Sequence, residues 1–406
     1  PQLTMSVPRG AYVYLAQGIK SAVKTPVLAS NRINDPRVGE EILRNGQADM
    51  VTMARGLLAD PELPQKALDG IPERIYHCVA CNQGCFDSIF RGRPATCLIN
   101  PRAGREAETV GQPADPPKRI LVIGGGPAGM KAACVAAERG HKVTLMEKTE
   151  ALGGQLLLNR RIPGREELLT AVQDLERNLR ALGVEVQLRV TADQNRVREL
   201  APEAVVLASG ARPVAPQIPG IDSPHVVQSW EVLAGRKGVG TRVVVLGGNA
   251  VGLETALYLA GVGTLTPEML HFLMVNRAES LETLTGLLNK GIKEVTVVEM
   301  EQKAGKDVGL TTKWTIMAEL KRLGVRILTE TKAVGGVPEG LETQGKNGTG
   351  LIPADCVVVA AGSRSENILL DELQGVVSKI HVIGDAQEPR NALTAIREGL
   401  EAGLSV

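Results

Sequence analysis

From residue 120 onward the chain carries short, mostly apolar runs: ILVI, VTLM, AVVL, VVVL, VTVV and VVVA. Runs without polar alternation suit strands covered on both faces, as in a parallel sheet. Glycine-rich turns and stretches of small residues separate them, which predicts strand–turn–helix units. The units repeat. ILVIGGGPAGMKAACVAA, from Ile120, is answered by VVVLGGNAVGLETALYLA from Val243. KVTLMEK matches EVTVVEM, ALGVEVQL matches RLGVRILT, and EAVVLASGAR matches DCVVVAAGSR. One βαβ design is therefore expected twice, in an α/β chain. A stretch over 263–290 interrupts the second copy. TLTPEMLHFLMV and ESLETLTGLLNKG open and close like helices, so an inserted surface helical pair is predicted there. The charged segment GREELLTAVQDLERNLRAL reads as an amphipathic helix with a solvated face.

Residues 1–70 have another rhythm. TPVLASNRI reads as a buried strand, DPRVGEEILRNG as an amphipathic helix, and ADMVTMARGLLADPEL as a second buried strand ending near Arg55. Strand and helix alternating at this pitch predict the end of a (β/α)8 barrel. Arg32 and Arg55 fall at the C-terminal ends of the two strands, where barrels bind phosphate; the plain alternative is two solvated loop arginines. Seventy residues cannot close a barrel of about 250, and the abrupt start at Pro1 reads as that of a fragment. The expected organisation is a barrel end over 1–70, a cysteine segment and linker over 71–115, one nucleotide domain over 116–236 and 365–406, and a second over 237–364.

The two glycine turns carry the candidate chemistry. Gly124, Gly126 and Gly129 fit the dinucleotide fingerprint. The first glycine permits the turn, the second lets backbone approach a pyrophosphate, and the third lets helix and strand pack. Glu147 ends the next strand, where a carboxylate accepts hydrogen bonds from a ribose diol. In the second copy the positions are Gly247, Asn249 and Gly252, followed by Glu299. Asn249 implies either a pyrophosphate standing further off or a left-handed backbone. Two such domains imply two nucleotides, a flavin and a nicotinamide. Gly154 and Gln155, in LGGQL, suit close approach to the flavin or its phosphates, and Asp385, in IHVIGDAQ, suits ribityl hydroxyls. Glu299 and Glu301, with no arginine at the strand end, favour NADH over NADPH, although basic residues elsewhere could serve NADPH.

Four of the six cysteines crowd one segment: Cys78, Cys81, Cys85 and Cys97. Three close thiols plus one suit an iron–sulfur cluster better than zinc, which usually takes two separated pairs. A zinc knot and a pair of disulfides are the alternatives. His77 reads equally as a hydrogen-bond donor to the cluster or as packing, and Cys134 and Cys356 as small core residues.

Composition narrows the partners. A formal charge of +1 without a polybasic run, and 2% aromatic residues, argue against a nucleic-acid partner. No apolar run is long enough for a bilayer and nothing resembles a signal peptide, so a cytoplasmic protein away from membranes is expected.

The order of parts, SNRINDP, ARGLLADPEL, CVACNQGC with CLINP, GGGPAGM, LGGQL and GDAQEPRNAL, resembles the iron–sulfur flavoenzymes related to old yellow enzyme. These include 2,4-dienoyl-CoA reductase, enoate reductase and trimethylamine dehydrogenase. The resemblance implies a 4Fe–4S cluster on the four cysteines, FMN phosphate near Arg32 and Arg55, FAD at Gly124–Gly129 and Glu147, and nicotinamide at the second motif. It implies electrons passing from NADH to FAD, cluster and FMN, and reduction of an activated C=C bond in a small substrate, an unsaturated acid or acyl-CoA. The family's proton donors lie in the front of the barrel, so no catalytic acid is assigned. An electron-transfer module of the NADH:acceptor diaphorase type, without its own organic substrate, is the rival reading; a zinc-knot protein with vestigial nucleotide folds is a third. An oligomer is compatible with each.

Overall fold

The computed structural model describes residues 3–346 and 348–406. Pro1, and with it the reading of an abrupt start, lies outside them, as do Gln2 and Asn347. The chain divides into two compact units: 3–159, 164–212 and 364–406 in one, 160–163 and 213–363 in the other.

The first unit is built on a five-stranded parallel sheet in the order Ile380–Val382, Ala204–Leu207, Arg119–Ile123, Lys142–Glu147, Glu185–Leu188. The apolar runs are explained by cover on both faces. Ile120 and Val122 join the core under the Pro127–Glu138 helix, while Leu121 and Ile123 join a second core on the opposite face. Burying each such side chain contributes roughly 1.5–3 kcal/mol. The last helix, Ala392–Ser405, returns to pack on Pro127–Glu138. A Cβ on Gly399 would stand 2.4 Å from the Ala128 carbonyl oxygen, and one on Gly403 2.6 Å from Val135 Cβ, so only glycine allows this approach.

In the same unit, Leu28–Ala29 and Met50–Val51 pair in parallel beside the helices Val13–Ala22 and Pro36–Arg44. Asp35 caps the second helix, accepting the Arg37 N–H at 2.9 Å. The expected buried strands are shorter than read. Leu28 and Met50 are about half exposed, because a two-stranded piece covers one face only, and Arg55 lies in the helix Ala54–Ala59. The helix Leu168–Ala181 also departs from its solvated reading, for Asp174 is fully buried.

The second unit repeats the sheet: Val226–Gln228, Cys356–Val359, Arg242–Leu246, Glu294–Val298, Arg326–Leu328, all parallel. Its edge strand lies within 213–236, which therefore pack in this unit rather than in the first. A three-stranded antiparallel meander over 332–353 follows. The helices Pro267–Val275 and Leu281–Asn289 fill the 263–290 stretch, capped by Thr266 and Ser280. Among the described residues no helix is long and apolar enough to cross a membrane.

Candidate functional site

Cys78, Cys81, Cys85 and Cys97 line one cavity with Arg55, Asn82 and Gly84. The loop is held by local backbone choices. Ala80 and Asn82 both take left-handed conformations, at φ 49° and 60°, which non-glycine residues seldom adopt. Gly84 brings in the fourth thiol. Its carbonyl accepts the Thr96 N–H at 2.7 Å, and a Cβ there would stand 2.7 Å from the Thr96 oxygen and 3.0 Å from Cys97 Cα. The Asn34 side chain donates to the Cys78 carbonyl. His77 is buried, with Nδ1 3.1 Å from Asp174 Oδ1 and Nε2 3.7 Å from Asp35. Its backbone N–H donates to Asp174 Oδ2 at 2.6 Å, and Arg177 pairs with the same carboxylate. His77 is thus turned to carboxylates rather than to sulfur, and Asp174 is an anchor of the cysteine segment that sequence reading missed.

The Ala80 N–H donates to Cys78 Sγ at 3.4 Å. Burial pushes Cys97 up to about 12 and raises Cys78, Cys81 and Cys85 above the ordinary thiol range, Cys81 most clearly. Buried thiols in this state need a cationic centre to hold them as thiolates. All six cysteines are free thiols. Among the described residues no group of three or more His, Cys, Asp or Glu side chains is set to hold a metal ion. Four thiols lining one cavity are a donor set that suits an iron–sulfur centre.

The two expected phosphate arginines are both engaged. Arg32 is buried, donates from Nε to the Val7 carbonyl at 2.8 Å and pairs with Glu167, which also holds Arg9 at 2.7 Å. Arg55 Nη1 donates to Leu3 O at 2.9 Å and Asn82 Oδ1 at 2.7 Å, with its guanidinium 5.5 Å from the Phe86 ring centre. Arg55 therefore belongs to the surroundings of the cysteine cavity, where its charge opposes the rise at Cys78 and Cys85.

At the first glycine turn, a Cβ on Gly124 would stand 2.2 Å from the Ala208 oxygen and one on Gly129 2.0 Å from the Gly124 oxygen. These two glycines serve strand–helix packing. Gly126 is different: nothing lies within 4 Å of its Cβ position, so the helix mouth is open. Glu147 closes the turn from below, accepting the Gly125 N–H at 2.8 Å and the Thr149 N–H at 2.8 Å. The Gly154 Cβ position lies 3.1 Å from Gly126 Cα, and Gln155 Nε2 donates to Asp385 Oδ2 at 2.8 Å. The residues read from sequence for the flavin thus gather around one helix mouth, an open cradle that fits a diphosphate.

The second turn reproduces the glycine frame. Cβ atoms on Gly247 and Gly252 would stand 2.4 Å from the Ala360 oxygen and 1.9 Å from the Gly247 oxygen. Glu299 accepts the Gly248 N–H at 2.7 Å and the Glu301 N–H at 2.8 Å. Asn249 is not left-handed: at φ −75° and ψ −178° it matches Gly126 at −75° and 177°. Its side chain instead caps the helix, accepting the Gly252 N–H at 2.9 Å and donating to Ala360 O at 2.6 Å. Lys306 Nζ lies 2.5 Å from Glu301 and draws its carboxyl below the ordinary range, a basic residue elsewhere of the kind the NADPH alternative allowed for.

Comparison with known proteins defines the class. The chain belongs to the pyridine nucleotide-disulphide oxidoreductase family, whose model matches residues 118–399; residues 9–74 match the NADH:flavin oxidoreductase / NADH oxidase family. It is 48% identical over 408 residues to a metal reductase of Desulforamulus reducens, covering 100% of this chain and 61% of that protein. It is 36% identical over 408 residues to an NADH oxidase of Thermoanaerobacter brockii, covering 98% and 58%. With a cinnamate reductase of Clostridium sporogenes it shares 31% over 406 residues, covering 98% and 56%. The solved 2-naphthoyl-CoA reductase complex superposes with a TM-score of 0.89 at 30% identity, covering 100% of this chain and 58% of that one. The resemblance to the enoate and dienoyl-CoA reductase group is borne out. It spans about three fifths of the length of these relatives.

Proposed function

We propose that this chain works in NADH-dependent reduction of an activated C=C bond, with FAD on the first nucleotide fold, nicotinamide on the second and a 4Fe–4S cluster on Cys78, Cys81, Cys85 and Cys97. The observation that carries this reading is one polypeptide with two dinucleotide turns and a cavity lined by four free thiols. When bound, the flavins supply two-electron and one-electron chemistry, and the cluster supplies one-electron transfer. The chain's own residues bind and orient. Glu147 and Glu299 hold the turns and would accept from ribose hydroxyls, Gly126 would leave room for the diphosphate, and Gln155 and Asp385 would hold the ribityl side. FMN belongs to the same reading, but Arg32 is committed to Val7 and Glu167 and Arg55 to Leu3 and Asn82, so neither is assigned to its phosphate. Cinnamate and 2-naphthoyl-CoA, named for two of the relatives, support a conjugated acid or acyl-CoA as substrate class. The metal reductase at 48% identity favours a second reading, delivery of electrons to an inorganic acceptor.

The test is anaerobic reconstitution of the full chain. About four iron and four sulfide with one FAD per chain, and bleaching of the flavin by NADH, are expected. One zinc and no flavin would overturn the reading. Extending the chain with a relative's preceding segment and assaying cinnamate against ferric citrate separates the two acceptors.

A further inference from the structure

The mouth of the second nucleotide helix is already filled by the chain itself. The Ala250 N–H, first in the helix Ala250–Ala260, faces both carboxylate oxygens of Asp307 at 3.0 Å each. The Gly252 N–H goes to Asn249. In the first fold the corresponding helix begins with Pro127, which has no N–H, and has no side-chain cap. The two loops correspond residue by residue. Six residues beyond Glu147 and Glu299, the Gly153 N–H donates to Gly125 O at 2.7 Å and the Gly305 N–H to Gly248 O at 2.6 Å. Two positions further on stand Gln155, which reaches Asp385, and Asp307, which turns back onto the helix.

We propose that Asp307 is a resident competitor for the diphosphate of the nicotinamide, lowering the affinity of the second site and keeping its ligand exchangeable. The proposal rests on the reading of the second unit as the nicotinamide site. A helix N-terminus attracts one anion at a time, and a carboxylate and a diphosphate at the same amide repel each other. Displacement is sterically cheap, because Asp307 is exposed and its loop runs between Gly305 and Gly309. The dinucleotide must therefore evict a charge-assisted hydrogen bond before its own phosphates can take the amide. No such eviction precedes binding at the first fold.

The FAD-loaded full chain, with Asp307→Asn and Asp307→Ala, is titrated calorimetrically with ADP-ribose, ADP and adenosine. Asn keeps a neutral cap and Ala removes it, so a folding defect in one does not silence the other; flavin absorbance reports integrity. Both variants should bind ADP-ribose and ADP about three- to fivefold more tightly than wild type, with adenosine unchanged. Equal or weaker binding of ADP-ribose by the variants overturns the proposal, as does a gain shared by adenosine. No binding of ADP-ribose or NADH by any form, with FAD retained, overturns the nicotinamide reading and this proposal together.

Discussion

The two nucleotide folds differ at their mouths, not in their frames. Both use the same sheet order, the same carbonyl contacts under the first and third glycine positions, and a glutamate on the second amide of the turn, at 2.8 Å for Glu147 and 2.7 Å for Glu299. Steric exclusion explains this constancy: a methyl about 2 Å from a carbonyl oxygen cannot be absorbed by backbone. Around the mouth the first fold presents Gly126, Pro127, Gly154 and Gln155, and the second Asn249, Ala250, Lys306 and Asp307. The frame therefore identifies a dinucleotide turn, while the mouth decides how firmly a ligand is held.

The comparison is broken most severely at the third glycine. Gly129→Ala should abolish FAD retention, and Gly252→Ala should leave FAD bound while abolishing NADH binding, as read by flavin absorbance and NADH titration. Loss of flavin in both variants would mean that the two frames do not act separately. Next in size, Cys85→Ser should remove most cluster iron yet leave NADH reduction of FAD largely intact, measured by iron analysis and anaerobic stopped flow. A collapse of FAD reduction would contradict the assignment of the two folds and the cysteine cavity to separate tasks. Asp174→Ala leaves the His77 amide and ring without their carboxylate and should lower unfolding stability by about 3 kcal/mol, measured by denaturant titration, with the second fold's ADP-ribose affinity unchanged. Smallest, Glu299→Ala should weaken NADH a few-fold more than NADPH. Equal weakening would remove the basis for the nicotinamide preference and point to the Lys306–Glu301 pair instead.

Much of the frame was legible because its constraints are local. Glycine at fixed spacing after an apolar run, and an acid at the end of the next strand, are written within about thirty residues. The clustering of the four cysteines was legible for the same reason. Gly84 was visible only as a small residue between ligands, since its reason is a close approach to Thr96. Asp174 hid within a charged helix, where side-chain type alone does not distinguish a solvated carboxylate from one that holds a segment 97 residues away. Arg55 stood where a phosphate ligand was expected, yet the helix that carries it turns it toward Asn82.

The sequence by itself determined an α/β chain with a duplicated dinucleotide turn and a four-thiol segment, because strand cover, glycine sterics and ligand spacing are properties of short stretches. Only the tertiary structure decided that the chain over 213–236 joins the second sheet, that His77 answers to Asp174, and that Asp307 meets an amide 57 residues before it. Those are hydrogen bonds between distant residues, and no local pattern distinguishes a carboxylate that will find a buried or vacant donor from one that will stay in water.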